Sequence, residues 1–327
     1  MRPVLGVFCY AIAVAWVLPL VLVRLSEKGV SPRLGLAAWL AAMFSVVASA
    51  TVALALLTRM VVAGWPAFAR TVCESVTADA CPPALYRNAA YELGLAVAAF
   101  LGGTLLIFLG WRYGRSLRRA SVRTRAHAEA ARITGRRVGG TQPAFVLDAA
   151  QPAVYCVPGR PPTIVLTTGA LAVLEPEQLT AVLAHEQAHL AGRHHLLLAM
   201  TRSLAAAVPA VPLFARGTGA VARLAEMRAD DIAARPSHRR TLMAALLAMS
   251  GGDLASGGAA GGGGAVAQAP PAAWLAATGG IVDVRVRRLA DPPLRGQRFR
   301  YGLALAALIL AITAASVLVS ATAIAGL

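Results

Sequence analysis

The stretch HEQAHLAGRHH, from His185 to His195, contains a histidine pair with a glutamate between them. Residues four apart lie on one face of a helix, so His185 and His189 can present two imidazoles to a single metal ion. Glu186 lies beside them, where its carboxylate can take a proton from water that the metal activates. Zinc suits such a site because it lowers the pKa of bound water to about 7. The pattern predicts one zinc ion per chain and hydrolytic chemistry.

Two candidates could supply the third protein ligand. In the longer pattern HExxHxxGxxH, Gly192 would break the helix and return His195 to the metal. In the stretch LAEMRADDIAAR, Glu226 and Asp230 lie one helical turn apart. Glu226 could then bind zinc, and Asp230 could accept a hydrogen bond from a ligand histidine. The uninterrupted apolar sequence after His195 predicts a continuous helix that carries this histidine away from the ion, which favours Glu226.

The composition of the chain is typical of a membrane protein. The 327 residues are 57% hydrophobic and only 14% charged, with a mean hydropathy of +0.64, whereas soluble domains are about a quarter charged. Four apolar runs are each close to the roughly 20 residues that cross a bilayer. They are Val4–Val23, Leu34–Leu57, Leu93–Trp111 and Tyr301–Ala325. The first run could instead be a signal peptide, but it lacks a clear cleavage site.

The distribution of the net charge of +16 predicts a topology. Nine arginines lie between Arg112 and Arg137, directly after the third apolar run, and basic residues beside a span favour the cytoplasmic side. The loop 64–91 is poor in arginine, so we expect it outside the cell, together with both termini. Cys73 and Cys81 of that loop could form a disulfide there or stay as free thiols. The arginines predict contact with lipid headgroups, and no nucleic-acid partner is expected.

The segment between the third and fourth runs is long enough for one domain with its own core. The sequence FVLD at 145–148, then AVYCVPG, then TIVLTTGAL predict three short strands before the histidine helix. The apolar stretch Leu196–Phe214 contains Arg202 and ends at prolines, so we expect a buried or membrane-skimming helix there. The predicted organisation is three spans within 1–111, a basic neck at 112–140, a metallopeptidase domain at 141–250, a Gly/Pro-rich linker and Arg-rich segment at 251–298, and a fourth span at 301–325.

The order of these motifs resembles a known family. Three apolar runs, VLAHEQAHLAGRHH, LAEMRADDIAAR, VRVRRLADPP and a final apolar run resemble the BlaR/MecR-type antirepressor family of integral-membrane zinc metallopeptidases, metallopeptidase family 56. The resemblance covers nearly the whole chain. It implies a mainly α integral membrane protein with four transmembrane helices and a cytoplasmic, gluzincin-like α+β zinc metallopeptidase domain.

The resemblance also implies roles for individual residues. His185, His189 and Glu226 would hold the zinc, Glu186 would be the general base, and Asp230 would orient a ligand histidine. TIVLTTGAL resembles the strand along which gluzincin-type proteases hold substrate as an added β-strand. For the group that stabilises the oxyanion the candidates are His194, His238, Tyr155 and Arg285.

For function, the resemblance implies cleavage of a cytoplasmic winged-helix repressor in a signalling pathway. The antibiotic sensors of the family carry a penicillin-binding domain beyond the last span, and we expect this chain to lack one. Its only lysine, Lys28, has Leu25 three residues before it, so no SxxK motif is present. Two alternatives remain open: a quality-control or processing protease similar to the HtpX/Ste24 group, and a catalytically inactive membrane scaffold.

Overall fold

The computed structural model describes residues 2–27, 29–77, 83–138, 144–157, 162–235, 239–256 and 278–325. Helices dominate this part of the chain, and one small sheet accompanies them. The helices are α1 (Arg2–Trp16), α2 (Leu18–Ser26), α3 (Pro32–Thr77), α4 (Pro83–Thr134), α5 (Thr168–Val173), α6 (Pro176–Ala191), α7 (His194–Ala207), α8 (Pro212–Ala233), α9 (Arg239–Ser256), α10 (Thr278–Ala290) and α11 (Arg295–Ala325). The strands are β1 (Arg136–Val138), β2 (Ala144–Leu147), β3 (Val154–Val157) and β4 (Thr163–Thr167).

Four stretches of the described chain are long and apolar enough to cross a membrane, and each contains one of the predicted runs. They are Val4–Ser26, Pro32–Trp65, Ala90–Thr134 and Arg295–Ala325. Large apolar side chains lie exposed along them; Phe100 and Ile107 of α4 are 72% and 76% exposed. Such a surface suits lipid rather than water. The side chains of Cys73 and Cys81, for which a disulfide is considered, lie outside the described residues.

The basic neck is not a separate element, because α4 continues from the third apolar run to Thr134 without a break. Its last turns pack Ala128 and Ala131 against Val157 and Val165 of the sheet. Beside this contact, His127 Nε2 lies 3.0 Å from the hydroxyl oxygen of Tyr155. One helix therefore joins the third span directly to the sheet.

The sheet has the strand order β1-β2-β4-β3, with β2 and β4 parallel and the other pairs antiparallel. Strands β2, β3 and β4 correspond to the three predicted runs, and β1 falls in the predicted neck. All five residues of β4 are buried, and both of its edges are occupied by other strands. The expectation that TIVLTTGAL offers a free edge to substrate is therefore wrong. The edge strands of the sheet are β1 and β3.

Helix α8 shares a core with the long apolar helices. Trp39 and Met43 of α3 are buried together with Leu213 and Leu224 of α8. The close approach of the two helices needs Gly217, since a Cβ there would overlap the end of the Met43 side chain and lie 3.1 Å from the Trp39 ring. The apolar segment that precedes α8 forms α7, which ends at Ala207 and packs between α4 and α8. One face of α7 is buried, whereas Leu196 and Met200 of this helix are 45% and 46% exposed.

Helix α10 falls inside the predicted 251–298 linker segment, of which residues 257–277 lie outside the described residues. Its Arg288 donates to both carboxylate oxygens of Asp231 on α8, at 2.7 and 2.8 Å, and to the carbonyl oxygen of Gly29 at 3.0 Å. Gly29 has a φ of +56°, and a Cβ there would overlap the Met227 side chain. This arginine therefore fixes the short connection between the first two apolar helices to α8.

Gly217→Leu should lower the free energy of unfolding by about 1–3 kcal/mol, because the new side chain would force α8 away from α3. Gly219 on the same helix is exposed, with only a flexible arginine terminus near its Cβ position at 3.6 Å. Gly219→Leu carries the same change in helix propensity and should leave stability unchanged or raise it. Denaturant unfolding of both variants in the same detergent measures the difference; equal stability would contradict the packing described.

Candidate metal centre

Helix α6 presents the histidine pair towards α8. It begins at Pro176, whose missing N–H suits a first helical position, and the Glu175 N–H donates to Gln178 Oε1 at 3.1 Å. Small buried residues, Ala181 and Ala188, allow other helices to approach closely. His185 and His189 lie one turn apart, and their Nε2 atoms are 3.0 Å from each other. Two ring nitrogens at this separation can bind the same metal ion.

The carboxylate of Glu226, on α8, lies close to both of these nitrogens. Its Oε2 atom is 3.5 Å from His185 Nε2, and its Oε1 atom is 3.4 Å from His189 Nε2. A tetrahedral zinc ion about 2.0–2.1 Å from its ligands holds them about 3.3 Å apart. The three measured separations match that spacing, and two imidazoles with one carboxylate are ligands that zinc accepts. The residues present therefore fit a zinc ion.

Asp230, one turn further along α8, orients His185. Its Oδ1 atom lies 3.0 Å from His185 Nδ1, and the residue is only 1% exposed. A carboxylate in this position holds the proton on Nδ1 and leaves the Nε2 lone pair for a metal. Burial alone would raise the pKa of Asp230, but Arg285 and His185 lower it to about 2, so it is ionised at neutral pH.

Arg285 of α10 links the two acidic residues. It donates from Nε and Nη2 to Asp230 at 2.9 and 2.7 Å, and its Nη1 atom lies 3.1 Å from Glu226 Oε2. No secure role for this arginine could be predicted from the sequence, because its partners lie more than fifty residues away. Arg285 and Arg288 lie three residues apart on α10, and they pair with the adjacent Asp230 and Asp231 of α8. Paired arginines opposite paired aspartates are the signal that could have predicted this contact.

The charges of the site favour a divalent cation. Burial raises the pKa of Glu226, but hydrogen bonds to His185 and His189 hold it well below its usual value. Burial and Arg285 lower the pKa of His185, while its bonds to Asp230 and Glu226 raise it to about 9. Without a metal, the two carboxylates thus draw a proton onto His185. A metal cation bound by His185, His189 and Glu226 would take the place of that proton.

Glu186 lies on the side of α6 that meets β3. Its Oε2 atom accepts a hydrogen bond from the backbone N–H of Cys156 at 2.8 Å. In the β3–β4 register, Tyr155 pairs with Val165, and the Ala153 carbonyl accepts from Thr167. The N–H of Cys156 therefore points away from β4, towards the free edge. The edge strand fixes the carboxylate beside the metal ligands.

His195 does not join the converging ligands. Among the described residues, the group whose donor atoms lie within 4.8 Å of one another consists of His185, His189 and Glu226. The sequence argument for this outcome was nevertheless wrong, because the helix does break: α6 ends at Ala191, and α7 begins at His194. The helical conformation is interrupted between them at Arg193, which has a φ of +49°.

The candidates for oxyanion stabilisation are scattered. Tyr155 bonds to His127 of α4, and His238 lies outside the described residues. His194 is buried, with its Nδ1 atom 3.0 Å from His189 Nδ1; burial and then His189 lower its pKa to about 4, so it is neutral. Arg285 is the candidate that contacts both acidic residues of the site.

Asp230→Ala should weaken zinc binding about 10–100-fold, because it removes the group that orients a ligand histidine. Asp231→Ala is the matched control: it also deletes an aspartate paired with an arginine of α10, but Asp231 bonds Arg288 and touches no metal ligand. It should leave zinc affinity near normal. Competition with a chromogenic chelator measures both. An equal loss in the two variants would contradict a specific role for Asp230.

Comparison with known proteins gives a partial match. Residues 123–215 match the sequence profile of peptidase family M48, whose members are zinc metallopeptidases. The matched segment runs from α4 through the sheet and α6 to the start of α8, and it ends before Glu226. No solved structure matches the chain. The profile match and the convergence of His185, His189 and Glu226 together support a membrane-associated zinc metallopeptidase domain.

Proposed function

We propose that this chain is a membrane-embedded zinc endopeptidase that cleaves a protein at the cytoplasmic face of the membrane. The observation that carries the proposal is the convergence of two imidazoles and a carboxylate, with Glu186 beside them at a strand edge. Three metal ligands, a general base and a residue that orients a ligand histidine are present together. Their presence favours an enzyme over an inactive scaffold.

In the proposed reaction, His185, His189 and Glu226 bind the zinc. When bound, zinc supplies a Lewis acid that polarises the scissile carbonyl and activates water. Glu186 accepts the proton of the attacking water at its carboxylate and later delivers a proton to the leaving amine. The hydrogen bond from Cys156 N–H keeps this carboxylate oriented. Asp230 keeps His185 in the tautomer that binds metal.

The edge of β3 is the proposed substrate platform. Apart from the Cys156 N–H, its outward-facing N–H and C=O groups can pair with an extended peptide, which then becomes a fifth strand. Because Cys156 N–H already bonds Glu186, the peptide on this edge would run directly beside the base. The backbone contacts would bind many sequences, as an endopeptidase with protein substrates requires.

A cytoplasmic location of the domain is supported by two features. The exposed arginines of α4 directly follow its apolar segment, where the positive-inside rule places the cytoplasm. The connection between the first two apolar helices contacts α8 through Gly29 and Met227, so this connection and the metal site lie on the same side. With alternation along four spans, both termini lie outside.

For the substrate, we propose a cytoplasmic repressor of the winged-helix class, as the resemblance to the antirepressor family implies. A second candidate function is that of a quality-control or processing protease of membrane proteins. The match to family M48 favours this candidate, because M48 is a different family from metallopeptidase family 56. The two candidates differ in the number of their substrates: a repressor protease has one main substrate, and a quality-control protease has many.

Glu186→Gln should retain zinc and lower proteolysis by about 10²–10⁴-fold, since it removes the proton acceptor and spares the ligands. Metal analysis of the purified variant checks the first part. Quantitative proteomics of cells with the wild-type chain or the variant checks the second and identifies uncut proteins. One accumulating DNA-binding repressor would support the first substrate class, and many membrane proteins the second. Identical cleavage in cells with the wild-type chain and in cells with Glu186→Gln would contradict the proposal that the chain is a protease.

Val122→Cys tests the sidedness. Val122 lies in the neck region of α4 and is 65% exposed. In a chain whose native cysteines are replaced, this thiol should react with a membrane-impermeant maleimide only after the cells are opened. A chain that keeps Cys81 alone is the control, and it should react in intact cells. Labelling of Val122→Cys in intact cells would place the domain outside.

A further inference from the structure

His194 lies directly behind a proposed zinc ligand, and no role in the reaction described above uses it. Its side chain is 0% exposed, and its Nδ1 atom is 3.0 Å from His189 Nδ1. The two rings meet edge to face, with centroids 4.8 Å apart at 89°. This contact is on the opposite edge of the His189 ring from Nε2, which faces Glu226.

The interruption between α6 and α7 places this ring beside His189. Arg193 adopts a left-handed conformation that residues other than glycine rarely take, and α7 then begins with His194. A Cβ on Gly192 would lie 2.5 Å from His194 Nε2 and 2.7 Å from Cδ2. Any side chain at Gly192 would therefore push the imidazole away from His189. The glycine of HExxHxxGxxH makes room for His194 and does not return His195 to the metal.

The position of one proton follows from the contact. Two nitrogens 3.0 Å apart form a hydrogen bond only if one carries a hydrogen and the other offers a lone pair. If His189 binds zinc through Nε2, as the proposed function requires, its proton is on Nδ1. The Nδ1 atom of His194 must then be the acceptor, which leaves the proton of His194 on Nε2.

The other nitrogen of His194 supports a specific use of the ring. Nε2 is buried and has no hydrogen-bond partner in the described part of the chain. Buried polar atoms without partners are uncommon because they lose their hydration without compensation. An apolar side chain at this position would avoid that cost. The contact of Nδ1 with His189 is therefore the feature that accounts for a histidine here.

We propose that His194 is a positioning residue that accepts a hydrogen bond from His189 Nδ1 and so holds the His189 Nε2 lone pair towards the metal. This inference rests on the proposed zinc site. The two ligand histidines are then oriented by different partners, His185 by the anion Asp230 and His189 by a neutral imidazole. The neutral partner orients its ligand without adding another negative charge to a site that already contains the carboxylates of Glu186, Glu226 and Asp230.

The test compares His194→Leu with His194→Asn in the full-length chain purified in detergent. Leucine removes the acceptor, and the amide oxygen of asparagine can take the place of Nδ1 and accept the same hydrogen bond. Zinc affinity by chelator competition should fall about 10–100-fold for His194→Leu and remain within roughly a few-fold of wild type for His194→Asn. Thermal unfolding of the metal-free proteins should not follow this order, since leucine also removes an unpaired buried nitrogen.

Gly192→Ala is the second variant, and it keeps the test decisive if His194→Leu fails to fold. It retains His194 but displaces the ring, so it should weaken zinc binding in the same direction. Wild-type affinity in both His194→Leu and Gly192→Ala would overturn the proposal, as would equal losses in the leucine and asparagine variants that parallel their unfolding. A wild-type chain that binds no zinc would instead overturn the proposed function itself.

Discussion

The buried charge network between α6, α8 and α10 is the constraint on which the rest of the structure depends. Arg285 is 8% exposed and Asp230 1%, so each would be costly without the other. Their pairing, together with His185 and Glu226, forces three helices to meet at one point. The helices are distant in sequence, and α10 is separated from α8 by α9. Once the network is formed, the metal ligands are already at the spacing that zinc needs.

The same helices connect the site to the membrane. Along α8, the residues before Glu226 pack against Trp39 and Met43 of α3, and those after it pair with α10. On the opposite side, α4 passes from its apolar segment to the sheet, whose strand β3 holds Glu186 through Cys156. Glu226 is therefore anchored to α3 through α8, whereas Glu186 is connected to α4 through the sheet. Helix α6 carries Glu186 together with His185 and His189, so the base stays at a fixed place relative to two of the proposed ligands.

Much of this could be predicted from local sequence. The four apolar runs, the one-turn spacing of the histidines and that of Glu226 and Asp230 are periodic signals within single helices. Strand order is not local, so TIVLTTGAL was assigned to an edge although it lies inside the sheet. The break at Gly192 was missed because the apolar sequence of α7 predicts helix on its own. The contact of Arg285 with α8 depends on a long-range ion pair, for which the sequence contains only matching charges.

The central claim is that Glu226, and not His195, completes the metal site. The most direct measurement is the zinc content of purified Glu226→Ala and His195→Ala, determined by elemental analysis beside the wild-type chain. We predict about one zinc ion per chain in wild type and in His195→Ala, and loss of zinc in Glu226→Ala, where only two protein ligands remain. Zinc retained by Glu226→Ala and lost from His195→Ala would contradict the account.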